Sequence, residues 1–176
     1  MPSMSASDAQ RLGPYELVER LGSGAMGTVY RAVHTGLGQE RAVKVLRTEL
    51  AADEVLLQRF AQEARTAARL RHPNIVLVYD VDVDRGVPYL VMELLHGQPL
   101  DALIRSLGPL PLGRSLVILR QLALALDYAH AHGIVHRDVK PANVFVGTDD
   151  HVTLVDFGIA RAADELRLTS TGLVMG

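Results

Sequence analysis

Eight residues concentrate the chemistry of this chain: "HRDVKPAN", running from His136 to Asn143. Within them stand a carboxylate that can act as a base, Asp138, the cations Arg137 and Lys140, and an amide able to reach a metal ion, Asn143. That set suits proton transfer beside a stabilised negative charge. The bland alternative is a solvated loop, which rarely combines these identities at this spacing. Thirteen residues beyond Asn143 comes "DFG", with Asp156 closing the apolar run "VTLVD".

Near the start, "LGSGAMGTV" spaces Gly22, Gly24 and Gly27 as G-x-G-x-x-G. Alone the pattern is weak, because it also opens dinucleotide-binding folds and ordinary loops. In a dinucleotide fold the glycines lead into a helix, whereas "TVYRAV" is β-branched and aromatic and favours a strand. A glycine hairpin between two strands can lie over a triphosphate and offer its backbone N–H groups to the oxygens. Lys44, inside "RAVKVL", is either an ordinary lysine on the wet side of a sheet or a buried one that needs an acid. Glu63, on a following helix, is the candidate acid.

These groups must be positioned by two halves of different pattern. "YELVERLG", "TVYRAVHT" and "RAVKVLR" read as three antiparallel strands separated by glycine turns. In "DEVLLQRFAQEARTAARL", Leu56, Phe60, Ala64 or Ala67, and Leu70 recur at helical spacing. The predicted helix breaks at the residue before Pro73. "VLVYDVDVD" and "VPYLVMEL" follow as two strands around the tight turn "RG". Beyond "LHGQP" the pattern turns helical. A short amphipathic helix uses Leu100, Leu103, Ile104 and Leu107 and stops at Gly108; Pro111 opens a longer one, apolar nearly all round, with Gly133 in the place of an αL cap. Such a helix expects burial on most faces. "NVFVG" and "VTLVD" close the pattern as a hairpin around "TDD".

Composition bounds these readings. The 176 residues are 48% hydrophobic, enough for a core, and a net charge of -2 gives no general attraction to nucleic acid or anionic lipid. The absence of cysteine excludes disulfides and Cys-ligated zinc. No secretory start and no run of membrane-spanning length is visible, which points to the cytoplasm. "MPSMSASDAQRL" reads as a disordered lead. The histidines lack a third ligand for a metal site.

Taken in order, the glycine loop, strand lysine, helix glutamate, HRD, Asn and DFG resemble the protein kinases, specifically bacterial serine/threonine kinases of the eukaryotic type. The resemblance covers Tyr15 to Gly176. It implies an α+β, two-lobed fold: a five-stranded antiparallel sheet plus one helix over 13–94, and a truncated, mainly helical lobe over 95–176. It implies ATP and Mg²⁺ as cofactors and serine or threonine hydroxyls of proteins as acceptors.

Residue by residue, the resemblance implies that the loop Leu21, Gly22, Ser23, Gly24, Ala25, Met26, Gly27 and Thr28 covers the ATP phosphates. Lys44 contacts them and Glu63 holds Lys44. Val29 and Ala42 pack on one adenine face with Phe145 below; Met92 narrows the back, and the backbones of Glu93 and Leu95 bond the adenine edge. Asp138 is the implied catalytic base, Lys140 steadies the γ-phosphate, and Asn143 and Asp156 hold Mg²⁺. Arg137 suggests regulation through phosphate on an activation segment, where Thr169 and Thr171 resemble the phosphorylated pair. A kinase dimer is a further implied partner.

The chain departs from the family pattern after that segment, where a substrate-binding stretch, an Ala-Pro-Glu motif and more helices are expected. Their loss would bare the long apolar helix. A catalytically silent ATP-binding or regulatory fragment is therefore the competing reading, and the parent protein is allowed a membrane anchor beyond this stretch. Small-molecule phosphorylation is disfavoured by Lys140 and the complete glycine loop.

Overall fold

The computed structural model describes residues 11–24, 27–47 and 54–157. Strands β1 (Arg11–Leu12), β2 (Tyr15–Ser23), β3 (Gly27–His34) and β4 (Glu40–Leu46) precede helix α1 (Glu54–Ala67). Then come β5 (Val78–Asp84), β6 (Val87–Met92), β7 (Gln98–Pro99), α2 (Leu100–Leu107), α3 (Leu112–Ala131), a 3₁₀ turn (Pro141–Asn143), β8 (Val144–Val146) and β9 (Val152–Leu154).

The first sheet is antiparallel with order β1-β2-β3-β4-β6-β5. It holds the five expected strands and a short sixth: Arg11 and Leu12 pair with Glu16 and Tyr15, so the last two residues of the stretch read as a disordered lead are strand. The reason is burial, because Leu12 is 3% exposed under the sheet. Period-two alternation splits the strands between two cores. Val43, Tyr89 and Val91 join Tyr15 and Leu17 on one face. Leu46 and Leu90 face Phe60, Ala64 and Ala67 of α1 on the other. The β5–β6 turn places Arg85 and Gly86 at φ 51° and 79°, the positive pair that a two-residue hairpin with matching twist requires.

Helix α1 ends at Ala67, five residues short of the expected break before Pro73. The chain tightens there into i→i+3 bonds, Arg69 N–H to Thr66 and Leu70 N–H to Ala67, which bring Leu70 into the core. In the second half Gly108 (φ 75°) and Gly133 (φ 74°) terminate α2 and α3. Ile134 N–H returns to Ala129 O, closing the α3 cap. Helix α3 buries Ile118, Ala125 and Ala129 on one stripe, while Leu112, Leu116, Val117, Leu119 and Leu124 are exposed. The expectation of burial on most faces is therefore not met among the described residues, because these contacts cover only one stripe. The expected hairpin becomes three strands, β7-β8-β9, because Gln98 and Pro99 pair with Val146 and Phe145.

Candidate functional site

Between the large sheet and the β7-β8-β9 sheet lies a cleft of about 710 Å³, a size typical of small-molecule sites. Leu21, Gly22, Val29 and Ala42 form one wall, Met92, Glu93 and Leu95 line the crossing segment, and Phe145 and Asp156 lie opposite. Val76, Leu94, Ala142 and Val155 line it too; the sequence reading missed them because small apolar residues in strands and turns look like any core. At the mouth, Arg31 bridges Glu19 and Glu40 at 3.1 and 2.7 Å. The backbone of Glu93 is fixed by its N–H bond to Leu77 O, 2.9 Å.

Ser23 and Thr28 face each other at the end of the β2–β3 hairpin. Ala25 and Met26, at the tip, lie outside the described residues. Gly22 and Gly24 stand in open space, whereas a Cβ at Gly27 would lie 2.1 Å from Val45 O. The third glycine thus serves the close approach of β3 to β4.

Lys44 is buried, 6% exposed, and its Nζ lies 2.7 Å from Asp156 Oδ1. Among the described residues, an acid met 112 residues later in the chain thus faces it. Glu63 sits on α1, but its side chain lies outside the described residues. Asp156 takes φ 58°, a left-handed conformation that aspartate tolerates better than most residues.

Asp138, Lys140 and Asn143 form one cluster. Lys140 Nζ is 2.7 Å from Asp138 Oδ2. Asn143 Nδ2 donates to Asp138 O and Oδ2, each at 2.9 Å, which engages both amide hydrogens and leaves Asn143 Oδ1 as the acceptor. Burial pushes the Asp138 carboxyl up, but the hydrogen bonds from Lys140 and Asn143 outweigh it and hold the group below its ordinary value. It is a carboxylate at neutral pH.

His136 joins this loop to the segment that follows β9 and bears Asp156. It is 1% exposed; its Nδ1 accepts the Asp138 N–H at 3.3 Å, so Nε2–H donates to Val155 O at 2.8 Å. Burial lowers its proton affinity more than the Val155 bond and nearby carboxylates raise it, which fits a neutral ring. Val155 N–H in turn donates to Asn143 O at 3.0 Å, and Phe157 packs on the His136 ring at 4.6 Å. Arg137 is exposed at φ 66° and lines a small cavity with Thr66 and Phe157. Thr169 and Thr171 lie outside the described residues.

A second polar junction was invisible in the spacing of the sequence. Asn74, 5% exposed, donates to Val152 O at 2.7 Å and to Gln121 Oε1 at 3.0 Å. Gln121 Nε2 reaches Asp150 O, and Arg114 clasps the Asp150 carboxylate at 2.7 Å. Leu154 N–H bonds Asn74 O and Val76 N–H bonds Leu154 O. The segment after α1 is thereby tied to β9, the strand that leads into Asp156.

A family model described as the protein kinase domain matches residues 15–173. The serine/threonine-protein kinase PknA of Mycobacterium tuberculosis is 44% identical over 169 residues, which cover 93% of this chain and 39% of PknA. PknH of the same species is 43% identical over 176 residues, covering 97% of this chain and 28% of PknH. The crystal structure of the M. tuberculosis PknI kinase domain superposes with a TM-score of 0.78 at 39% identity, over 89% of this chain and 64% of that one. The chain thus spans well under half the length of these curated relatives.

Proposed function

Because the chain belongs to the protein kinase domain family, we propose that it binds ATP with Mg²⁺ in the cleft and transfers the γ-phosphoryl group to serine or threonine hydroxyls of proteins. The observation that carries this reading is the junction at Val155. The loop of Asp138 and Asn143 and the segment of Asp156 are bound to each other there through His136 and Asn143 O, while Asp156 meets Lys44 from the sheet. The loop of Asp138 and Asn143, the segment of Asp156 and the sheet lysine are thus joined beside a cleft that Ala142 and Asp156 line.

The donor set fits a hard cation. Asn143 Oδ1 and the Asp156 carboxylate are oxygen ligands of the kind Mg²⁺ prefers. No cluster of three His, Cys, Asp or Glu residues able to cage a metal occurs among the described residues, so such an ion would also need nucleotide oxygens. When bound it would supply charge neutralisation at the transferring phosphate. The chain's own residues do the rest. Val29, Ala42 and Phe145 offer apolar faces to a planar base. Lys44 brings positive charge to the phosphates, Asp138 accepts the hydroxyl proton, and Lys140, already within 2.7 Å of Asp138, offsets the charge that gathers on the transferred group.

In this reading 13–94 forms the nucleotide lobe and 95–176 the part of the second lobe that carries the loop. No helix among the described residues is long and apolar enough to cross a membrane. A cytoplasmic setting and a second copy of the chain as partner belong to the same proposal, as does regulation at Arg137, Thr169 and Thr171.

The test is a thermal shift of the chain with and without Mg-ATP, repeated with Lys44→Met, beside transfer of labelled phosphate to a generic basic protein. A ligand at a hundredfold excess over its dissociation constant adds about 2.7 kcal/mol of stability. A rise absent from the variant, together with labelling, is expected. A rise without labelling would mean a silent nucleotide-binding module, and no rise would overturn the reading.

A further inference from the structure

The glycine hairpin carries a hydroxyl that the proposed transfer does not use. Ser23 ends β2, is exposed, and accepts a hydrogen bond of 2.5 Å from Nη2 of the exposed Arg20. It stands between Gly22 and Gly24, where an added Cβ would meet nothing within 4 Å. Ser23 is itself exposed, so its hydroxyl can be reached by another molecule, and a guanidinium is already in contact with its oxygen. Guanidinium and phosphate make strong charge-assisted bonds, so Arg20 stands ready to hold a phosphate added at that oxygen.

We propose that Ser23 is a phosphorylation site, modified by ATP held in a second copy of the chain, and that phosphate there lowers the affinity of its own cleft for ATP. The proposal rests on the protein-kinase reading. Leu21 and Gly22 line the cleft, so Ser23 stands one residue from the wall of its own nucleotide site and the donor is another copy. In the step, Ser23 Oγ bonds to the γ-phosphorus while the bond from that phosphorus to the β,γ-bridging oxygen breaks. ADP leaves, and the hydroxyl proton passes to the donor copy's Asp138 carboxylate and then to water. The product carries about −1.5 to −2 charges at neutral pH, one residue from the cleft wall. A triphosphate of the same sign is repelled there, and only part of that repulsion is offset by Arg20. The chain would so limit its own turnover as phosphate accumulates.

The experiment incubates the full chain with Mg-ATP and a generic basic protein in one tube and maps phosphopeptides by mass spectrometry. Phosphate on the Ser23 peptide is expected, absent from Ser23→Ala, with an initial rate that rises as the square of chain concentration. Basic protein labelled while Ser23 stays bare would overturn the inference and leave the kinase reading standing; neither labelled would overturn both. A linear rate together with no phosphate passing from an intact copy to Ser23 of a Lys44→Met copy would exclude the second copy as donor. Phosphoserine installed at position 23 by an expanded genetic code is expected to weaken ATP binding by about tenfold, a charge effect of like signs at short range. Unchanged ATP affinity in that protein would overturn the self-limiting role.

Discussion

The sheet half and the helical half of this molecule satisfy their side chains in different ways. In the sheet, alternation sends Val43, Tyr89 and Val91 to one core and Leu90 and Leu46 to another, so β4 and β6 are covered on both faces, while Val18 and Leu21 of β2 and Tyr79 and Val83 of β5 stay exposed. In the second half, α3 buries three residues on one stripe and leaves five large apolar side chains exposed. Strands acquire their neighbours through backbone pairing, and the core follows from the register. A helix completes its backbone bonds alone and relies on packing partners to bury its faces. Yet the polar loop within the second half is locally complete: Asp138 is held by Lys140 and Asn143, two and five residues away.

That contrast predicts which changes damage chemistry and which damage the fold. Asp138→Asn strikes the locally built loop and is expected to lower phosphate transfer by about 10²- to 10⁴-fold, the usual contribution of a positioned acid–base group. Nucleotide affinity should stay within a few-fold of wild type. A parallel loss of nucleotide binding would show that the loop also supports the cleft and would dissolve the distinction.

Asn74→Ala strikes the junction between the halves. It removes the donor to Val152 O and to Gln121, with an expected loss of about 1–3 kcal/mol in denaturant unfolding, because the remaining acceptors stay buried. A change near zero would mean that α3 and β9 hold each other without this contact.

The pH dependence of stability has a definite sign. His136 binds a proton less readily folded than unfolded, since burial disfavours its charged form. Its contribution is fully present above the ordinary imidazole value near 6.5 and is lost as pH falls through the lower folded value. Unfolding midpoints should therefore fall between pH 7 and 5, and less steeply in His136→Gln. An identical slope in the variant would assign the acid sensitivity to other groups.

The smallest effect is expected at Leu112→Gln. Leu112 is 76% exposed at the start of α3, so stability should change by no more than about 0.5 kcal/mol. Ile118→Ala, on the buried stripe, should cost about 2–5 kcal/mol. Equal costs at the two positions would show that the exposed face is covered in solution.

Much of this was legible in the chain itself. The strands of the sheet, the caps at Gly108 and Gly133 and the loop of Asp138, Lys140 and Asn143 depend on residues close in sequence, where period, turn chemistry and spacing carry the information. The site's long-range pairs were not legible in this way. Lys44 had two readings, exposed or buried with an acid; burial and contact with Asp156 were decided by how β4 met a segment 112 residues further along the chain. Asn74 and Gln121, 47 residues apart, form a junction that no local spacing marks, and Leu12 became core. The sequence by itself determined the elements and the family to which they belong, because local backbone preference and motif spacing act over a few residues. Only the tertiary structure decided which charges meet and which apolar faces are covered, because electrostatic pairing and burial depend on distance in space.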